Sequence, residues 1–292
     1  MRKNDLIVKD NALIEASYSL DVTEQRLILL SIIEARETGK GITPDGFLEI
    51  HASSYMNQFN VEKHAAYEAL SNACKSLFRR YFTYQDIEPK TGKPRLNESR
   101  WVSKVAYIQS AAMVQICFAP DVIPLITRLE TNFTSYEIQQ ISSLSSAYAI
   151  RLYEVIIKWR SLGQTPILEL ADFRNQLGVG RNEYQRMGAF KERILNLAIQ
   201  QINEHTDITV TYEQHKTGRI ITGFTFMFTQ KKQPKDVTPK TKKLKPTEDI
   251  NSLLDDRGFL AKHARIGESW DDVRSRLKRE AETGLFTLSP TD

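Results

Sequence analysis

Apolar positions recur first at helical spacing. Asp21 and Thr23 offer caps, Glu24 and Gln25 fill a first turn, and Leu27, Leu30 and Ile33 follow three apart before Gly39. That pattern predicts a helix. A short strand over 47–50 comes next, and Ser53 or Ser54 opens a short helix carrying Tyr55, Met56 and Phe59. Asn60 and Val61 make a turn. A longer helix over 62–80 turns Ala66, Ala69, Leu70, Ala73, Leu77 and Phe78 inward. Tyr81, Thr83 and Tyr84 begin a strand, and Pro89-Lys90-Thr91-Gly92-Lys93-Pro94 forms a basic turn. The chain returns as a strand over 100–108, followed by a strand over 113–118 and a short helix over 120–129.

The second half repeats this order. A helix carries Tyr148, Leu152, Val155, Ile156 and Trp159 and stops near Gly163. A short strand over 167–170, a helix over 171–177 and the turn Gly178-Val179-Gly180 lead to a long helix over 184–203. Periodicity buries Met187, Phe190, Ile194, Leu197, Ala198 and Ile202 of that helix. A hairpin closes the unit: 208–212, a turn at Lys216-Thr217-Gly218-Arg219, then 220–228, where Phe224, Phe226 and Phe228 alternate.

The repeat is visible in the letters, because Phe47-Leu48-Glu49-Ile50 corresponds to Ile167-Leu168-Glu169-Leu170 at an offset of 120. Helix, short strand, helix, turn, helix, hairpin is the order of a winged helix-turn-helix. Two copies in one chain predict an α+β protein of two tandem winged helices, over 1–132 and 133–230. A tail over 231–292 is expected to be largely disordered and partly helical. Its Lys/Pro/Thr-rich start at 231–246 is expected to be disordered and electrostatic, and 248–258 could form a marginal helix. Ser269 and Asp272 stand at capping-box spacing before the apolar stripe Trp270, Val273 and Leu277, which predicts an amphipathic helix over 269–282.

Charge changes the picture only when it is placed along the chain. The formal net charge is +4. Residues 231–246 contribute +6, residues 247–292 contribute −3, and residues 1–230 contribute +1. A DNA argument about the two folded units therefore rests on local patches. Hydrophobic content of 41% supports a core, and no apolar run approaches the roughly 20 residues that span a bilayer. The first residues read as neither signal nor anchor. Cys74 and Cys117 are too few for a disulfide scaffold and read as buried small hydrophobes, so a reducing cytoplasm is expected.

A helix-turn-helix sends the amino end of its second helix into the major groove, where base edges are distinguishable. In the second unit that end reads Arg181-Asn182-Glu183-Tyr184-Gln185-Arg186. Arg181, Asn182, Gln185 and Arg186 are thus candidates for base edges, and Lys191 and Arg193 for phosphates. His215, Lys216 and Arg219 make a basic second wing. In the first unit Lys63 and His64 open the second helix. Lys75, Arg79, Arg80, Lys90, Lys93, Arg95, Arg100 and Lys104 then face only three acids over 75–104. These read as phosphate contacts from the long helix and its wing. Two units on one side of a duplex would cover about 20 base pairs, one helical turn apart.

Signals for catalysis are missing. No GxxxxGK[ST] loop occurs, the five histidines form neither H-x-H nor HExxH, and two cysteines cannot build a Cys-rich zinc site. A non-catalytic protein with no metal and no cofactor is expected.

Several stretches resemble one family closely. They are Val8-Lys9-Asp10-Asn11-Ala12-Leu13-Ile14, Glu24-Gln25-Arg26-Leu27, His51-Ala52-Ser53-Ser54-Tyr55, Ser99-Arg100-Trp101-Val102-Ser103, Leu144-Ser145-Ser146-Ala147-Tyr148-Ala149 with Arg151-Leu152-Tyr153-Glu154, and Ile202-Asn203-Glu204-His205-Thr206-Asp207. Phe118-Ala119-Pro120 with Pro124-Leu125-Ile126-Thr127 belongs to the same set. The chain resembles the initiator Rep proteins of theta-replicating iteron plasmids, the family of RepE, RepA and Pi. It is similar above all to Rep proteins of small plasmids of the bovine meat and milk factor type. The resemblance covers about residues 4–230. It implies tandem winged helices, monomers on origin iterons and dimers on an inverted-repeat operator. It further implies base reading by the second unit, dimerisation through the first, opening of an AT-rich region, and recruitment of host DnaA and replicative helicase in a bacterial cytoplasm. On the residues alone, a plain transcriptional repressor, a nicking or priming enzyme and a winged-helix interaction module stay open.

Overall fold

The computed structural model describes residues 6–43, 45–127, 132–231, 254 and 270–282. Residues 1–231 and 232–292 are two separate compact units.

The larger unit begins with strand β1 (Leu6–Asp10), a short helix α1 (Asn11–Glu15) and an extended stretch leading to helix α2 (Val22–Thr38). Asp21 caps α2 as its spacing predicts. Its carboxylate accepts the Glu24 N–H at 2.8 Å, and the Glu24 carboxylate accepts the Asp21 N–H at 2.8 Å. Then come β2 (Leu48–His51), α3 (Ala52–Phe59) and α4 (Lys63–Leu77). Four strands follow: β3 (Tyr81–Ile87), β4 (Pro94–Arg100), β5 (Val102–Ile108) and β6 (Met113–Phe118), with α5 (Val122–Thr127) after them. Strands β2, β6 and β5 form an antiparallel sheet in that spatial order.

The order recurs further on. After β7 (Phe133–Glu137) and α6 (Gln139–Ser142) come α7 (Ala147–Ile157), β8 (Leu168–Glu169) and α8 (Leu170–Gln176). A long helix follows in three parts: α9 (Met187–Phe190), a π-helical stretch (Lys191–Asn196) and α10 (Leu197–His205). Strands β9 (Ile208–Thr217) and β10 (Ile220–Gln230) finish the unit. Here the sheet order is β8, β10, β9, the counterpart of β2, β6, β5. The repeat in the letters is a repeat of geometry: Leu48 pairs with Ile116, and Leu168 pairs with Phe224. The fold is a pair of winged helices.

Two expected elements differ from the structure. The strand returning from the basic turn is β4, not a strand over 100–108. It pairs only with β3, from Tyr81 opposite Arg100 to Ile87 opposite Pro94. The fully buried Trp101 separates β4 from β5 and packs against Phe82 and Tyr18. The wing that matches β9 and β10 is therefore β5 and β6, joined through the short turn Gln109–Ala111. The basic hairpin is an insertion beside it.

The long helix is also shorter at its start. It begins at Met187 and is π-helical over Lys191–Asn196, with Phe190, Ile194, Ala198 and Ile202 buried as expected. Leu195 is fully buried where Leu197 was expected, and Leu197 is 49% exposed.

Aromatic packing fills the second winged helix, where Phe173 lies 5.3 Å from Phe226 and 5.8 Å from Phe224, ring centre to ring centre. The centre of the larger unit is polar in one place. Every residue from Ala149 to Ile157 of α7 is buried, Arg151 and Glu154 included. Glu154 accepts from Lys9 Nζ at 2.6 Å, Tyr136 Oη at 2.5 Å, Arg151 Nη1 at 2.7 Å and Tyr18 Oη at 3.4 Å. Burial alone would raise the Glu154 carboxyl. The charges of Lys9 and Arg151, with hydrogen bonds from Lys9 and Tyr136, outweigh it and hold the group at about 2. Burial lowers the Lys9 ammonium against the pull of Glu154, and burial also raises the Tyr136 phenol. The Lys9 strand is held by backbone pairing as well, since β1 runs antiparallel to β7.

Both cysteines are buried, and burial pushes the Cys74 thiol up to about 11. In the 232–292 unit, helix α11 (Trp270–Glu282) buries Val273 and Leu277 on the predicted stripe. Arg274 Nε donates to the carbonyl of the buried Leu254 at 2.8 Å. Ser269, the Lys run beyond Lys231 and most of 248–258 lie outside the described residues. Lys231 itself belongs to the larger unit, where its Nζ donates to the Thr206 carbonyl at 2.8 Å. Among the described residues, no helix is long and apolar enough to cross a membrane.

Replacing Glu154 by Gln leaves Lys9 and Arg151 buried without a counter-charge. It should lower unfolding stability by about 3–5 kcal/mol in urea titrations. The folded Glu154 carboxyl sits at about 2, below its ordinary 4.5, so its contribution is full above pH 4.5 and is lost as pH falls towards 2. The wild-type urea midpoint should fall through that window, and the Glu154→Gln midpoint should fall less.

Candidate nucleic-acid interface

Each winged helix offers the amino end of its second helix. In the second unit, Arg181, Asn182, Gln185 and Arg186 are all exposed and all stand in the turn before α9, although Gln185 and Arg186 were expected inside a helix over 184–203. Arg174 explains why. Its guanidinium donates to the carbonyl of Glu183 at 2.6 Å and to that of Tyr184 at 3.2 Å, while stacking 4.9 Å from the Phe190 ring centre. Those carbonyls are thereby taken away from a helix starting at Tyr184. Tyr184 itself takes a positive φ of 43°, a strained conformation for a tyrosine, and packs edge-on against Tyr148. The Glu183 carboxylate accepts the Gly180 N–H at 3.0 Å and closes the turn. Arg186 is the last non-helical residue, and its carbonyl accepts the Phe190 N–H at 3.0 Å. The turn therefore presents two arginines, an asparagine and a glutamine ahead of a helix whose free N–H groups favour anions.

Lys191 and Arg193 sit on the π-helical stretch. Arg193 is exposed. Lys191 is half-buried, donates to Gln214 Oε1 at 3.1 Å on β9 and lies 5.8 Å from the Tyr212 ring centre. It joins helix to wing. On the wing, Lys216 and Arg219 are exposed beside the hairpin turn, whereas the half-buried His215 Nε2 is 2.8 Å from Thr225 Oγ1.

The first unit's basic residues do not gather into one patch. Lys63 and His64 are exposed at the start of α4, and Lys75, Arg79 and Arg80 lie at or beyond its far end. Lys90, Lys93, Arg95 and Arg100 belong to the inserted hairpin and its turn, while Lys104 lies on β5 over the Phe47 ring. Several of these cations are engaged. Arg80 Nε donates to the buried Glu24 carboxylate at 2.8 Å, which raises the guanidinium still further. Arg95 makes a fork on Asp86 at 2.9 and 2.6 Å and holds that carboxyl below its usual range. Arg100 donates to the Phe78 carbonyl at 2.7 Å. Lys63, His64, Lys75, Arg79, Lys90 and Lys93 stay exposed.

A cleft of about 760 Å³ brings Arg79 and Arg80 opposite Arg181, with Tyr81 and Tyr84 on one wall and Asn175 and Gly180 on the other. Among the described residues, no group of three or more His, Cys, Asp or Glu could hold a metal ion. Sequence reasoning passed over Arg174 as a shaping residue and over the buried Arg151 and Glu154. The second omission had a readable signal, since two charges three apart interrupt an apolar run.

Two helix-turn-helix units with exposed basic turns or helix starts, each backed by a three-stranded wing, define a tandem winged-helix protein built for a long polyanion. Residues 6–157 match the family model described as initiator replication protein, WH1, and residues 169–228 match that described as initiator Rep protein, WH2. The chain belongs to this family of replication initiators, and initiation, rather than plain repression, is its role. A replication initiation protein of Escherichia coli is 20% identical over 219 residues, covering 73% of this chain and 66% of that protein. The WH1 domain of MSBI1.176, a replication protein isolated from a multiple sclerosis patient, is 61% identical with a TM-score of 0.36. That match covers 42% of this chain and 92% of the domain. The Pi initiator protein, crystallised with iteron DNA, shares the fold at a TM-score of 0.64 and 19% identity, over 80% of this chain and all of that one.

Arg174→Met should release the Glu183 and Tyr184 carbonyls and cost about 1–3 kcal/mol in thermal or urea unfolding. Amide exchange should rise over 180–186 while the α7 amides stay protected.

Proposed function

We propose that the chain initiates plasmid replication by binding repeated double-stranded sites at the origin, the second winged helix reading bases and the first gripping mainly the backbone. The observation that carries this is the turn before α9. Arg181, Asn182, Gln185 and Arg186 stand exposed together at a helix amino end, flanked by the Lys216 and Arg219 wing. Arginine suits guanine and the amides suit adenine in the major groove. Lys63, His64, Lys75, Arg79, Lys90 and Lys93 of the first unit supply positive charge without an obvious reading geometry, which fits phosphate contact. The likeness to the Pi initiator supports iterons as the target class.

The same reading places origin opening, recruitment of host DnaA and replicative helicase, and repression of its own gene as a dimer downstream of that binding, in a bacterial cytoplasm. It needs no catalysis by this chain, no metal and no cofactor. A nicking activity would overturn that part: strand cleavage of supercoiled plasmid with divalent metal, lost on changing one tyrosine.

Footprinting on the DNA flanking the encoding gene tests the proposal. Protection of tandem direct repeats beside an AT-rich stretch is the expected result; protection of no repeated element sinks it. On the protected repeat, Arg181→Ala or Arg186→Ala should each weaken binding by about 1–3 kcal/mol and relax specificity. Lys93→Ala should weaken all sequences alike and reduce the salt slope by about one.

A further inference from the structure

Two independent contacts join the second helix-turn-helix to the front of the chain. The first is Arg151. Its Nη2 donates to the carbonyls of Ile14 at 2.8 Å and Ala16 at 3.0 Å. Its Nη1 donates to the Tyr18 hydroxyl at 2.5 Å and to Glu154 at 2.7 Å. Its Nε donates to the Gln176 carbonyl at 2.9 Å, at the end of α8. These bonds engage all three guanidinium nitrogens, and the group also lies 4.0 Å from the Tyr18 ring centre. One planar cation thus ties the stretch between α1 and α2 to the first helix of the second reading unit.

The second contact is Gly178, two residues beyond Gln176. Its φ is +74°, and a Cβ placed there would lie 2.1 Å from the Tyr18 carbonyl oxygen and 3.3 Å from the Ser19 Cα. The turn of the second helix-turn-helix rests directly on the backbone at Tyr18 and Ser19. From there the path to the first helix-turn-helix is short. The 18–19 backbone leads into the Asp21–Glu24 cap, and Glu24 holds Arg80 just past the end of α4.

Apolar packing could let two such units slide. A guanidinium held in its own plane by fixed carbonyls cannot slide without losing bonds in a buried place, and backbone against glycine leaves no slack. We propose that Arg151 and Gly178 are positioning residues that set the angular and axial phase between the two helix-turn-helix units. The protein then measures the number of base pairs between the two DNA segments it covers. This rests on the reading that both units grip one duplex.

The test uses the full chain and duplexes carrying the footprinted repeat, with and without two base pairs inserted between the two protected segments. Two base pairs rotate one segment by about 70° relative to the other. Wild type should lose about tenfold or more in affinity on the inserted duplex, as for a displaced contact set. Arg151→Met and Gly178→Ala should bind the native spacing less tightly, yet lose no more than about threefold on insertion. Both should bind a short duplex bearing only the second unit's segment as wild type does, a readout that a merely unfolded variant fails. Should Arg151→Met not fold, Gly178→Ala and Tyr18→Phe carry the test. Folded variants that keep the wild-type insertion penalty overturn the positioning role. A wild type that protects a single segment overturns the two-unit reading; one that protects both segments yet tolerates the insertion overturns the phase-setting alone.

Discussion

The Glu154 carboxylate is the constraint on which the larger unit depends. Lys9, Tyr136, Arg151 and Tyr18 all point at its two oxygens, from β1, β7, α7 itself and the stretch before α2. A buried charge tolerates few arrangements, because any packing that leaves a partner out strands a charge in a medium that solvates it poorly. The apolar residues of α7 would accept several rotations of that helix; the polar set accepts one. With α7 fixed, α10 packs on one side of it, and α1 and α2 on others. Both winged helices are therefore assembled around a single helix.

Much of this fold was legible. Helix α2 follows from its capping box, and the two sheets follow from the repeated four-residue strand pattern at 47–50 and 167–170. The failures have physical causes. Periodicity counts Tyr184 as helical because it is aromatic and correctly spaced, yet Arg174 claims the carbonyls that the first turn would use. A π-helical stretch carries no compositional mark, and the burial of Leu195 in place of Leu197 could not be read from spacing. The break between β4 and β5 lies at a buried Trp101 followed at once by Val102, where propensity alone starts the strand rather than ending one.

The interface was legible by charge but not by availability. Arg80, Arg95 and Arg174 are indistinguishable by letter from Arg181, Arg186 and Arg193. The first three are held by a carboxylate or by backbone carbonyls. The last three are exposed. Sorting them needs the positions of Glu24, Asp86 and the 183–184 backbone, which are tertiary facts. Lys191 shows a middle case, since its contacts with Gln214 and Tyr212 couple the helix to the wing.

The pairing of β1 with β7 bears on how the chain is made. Leu6 lies opposite Glu137, and Asp10 opposite Phe133, so the first strand leaves the ribosome long before its partner exists. Lys9 waits longer still, until Glu154 emerges. Completing the first winged helix is thus a late event in synthesis, coupled to the appearance of the helix that begins the second. A nascent chain stalled before that helix would hold α3 and α4 without the counter-charge that completes the core behind them.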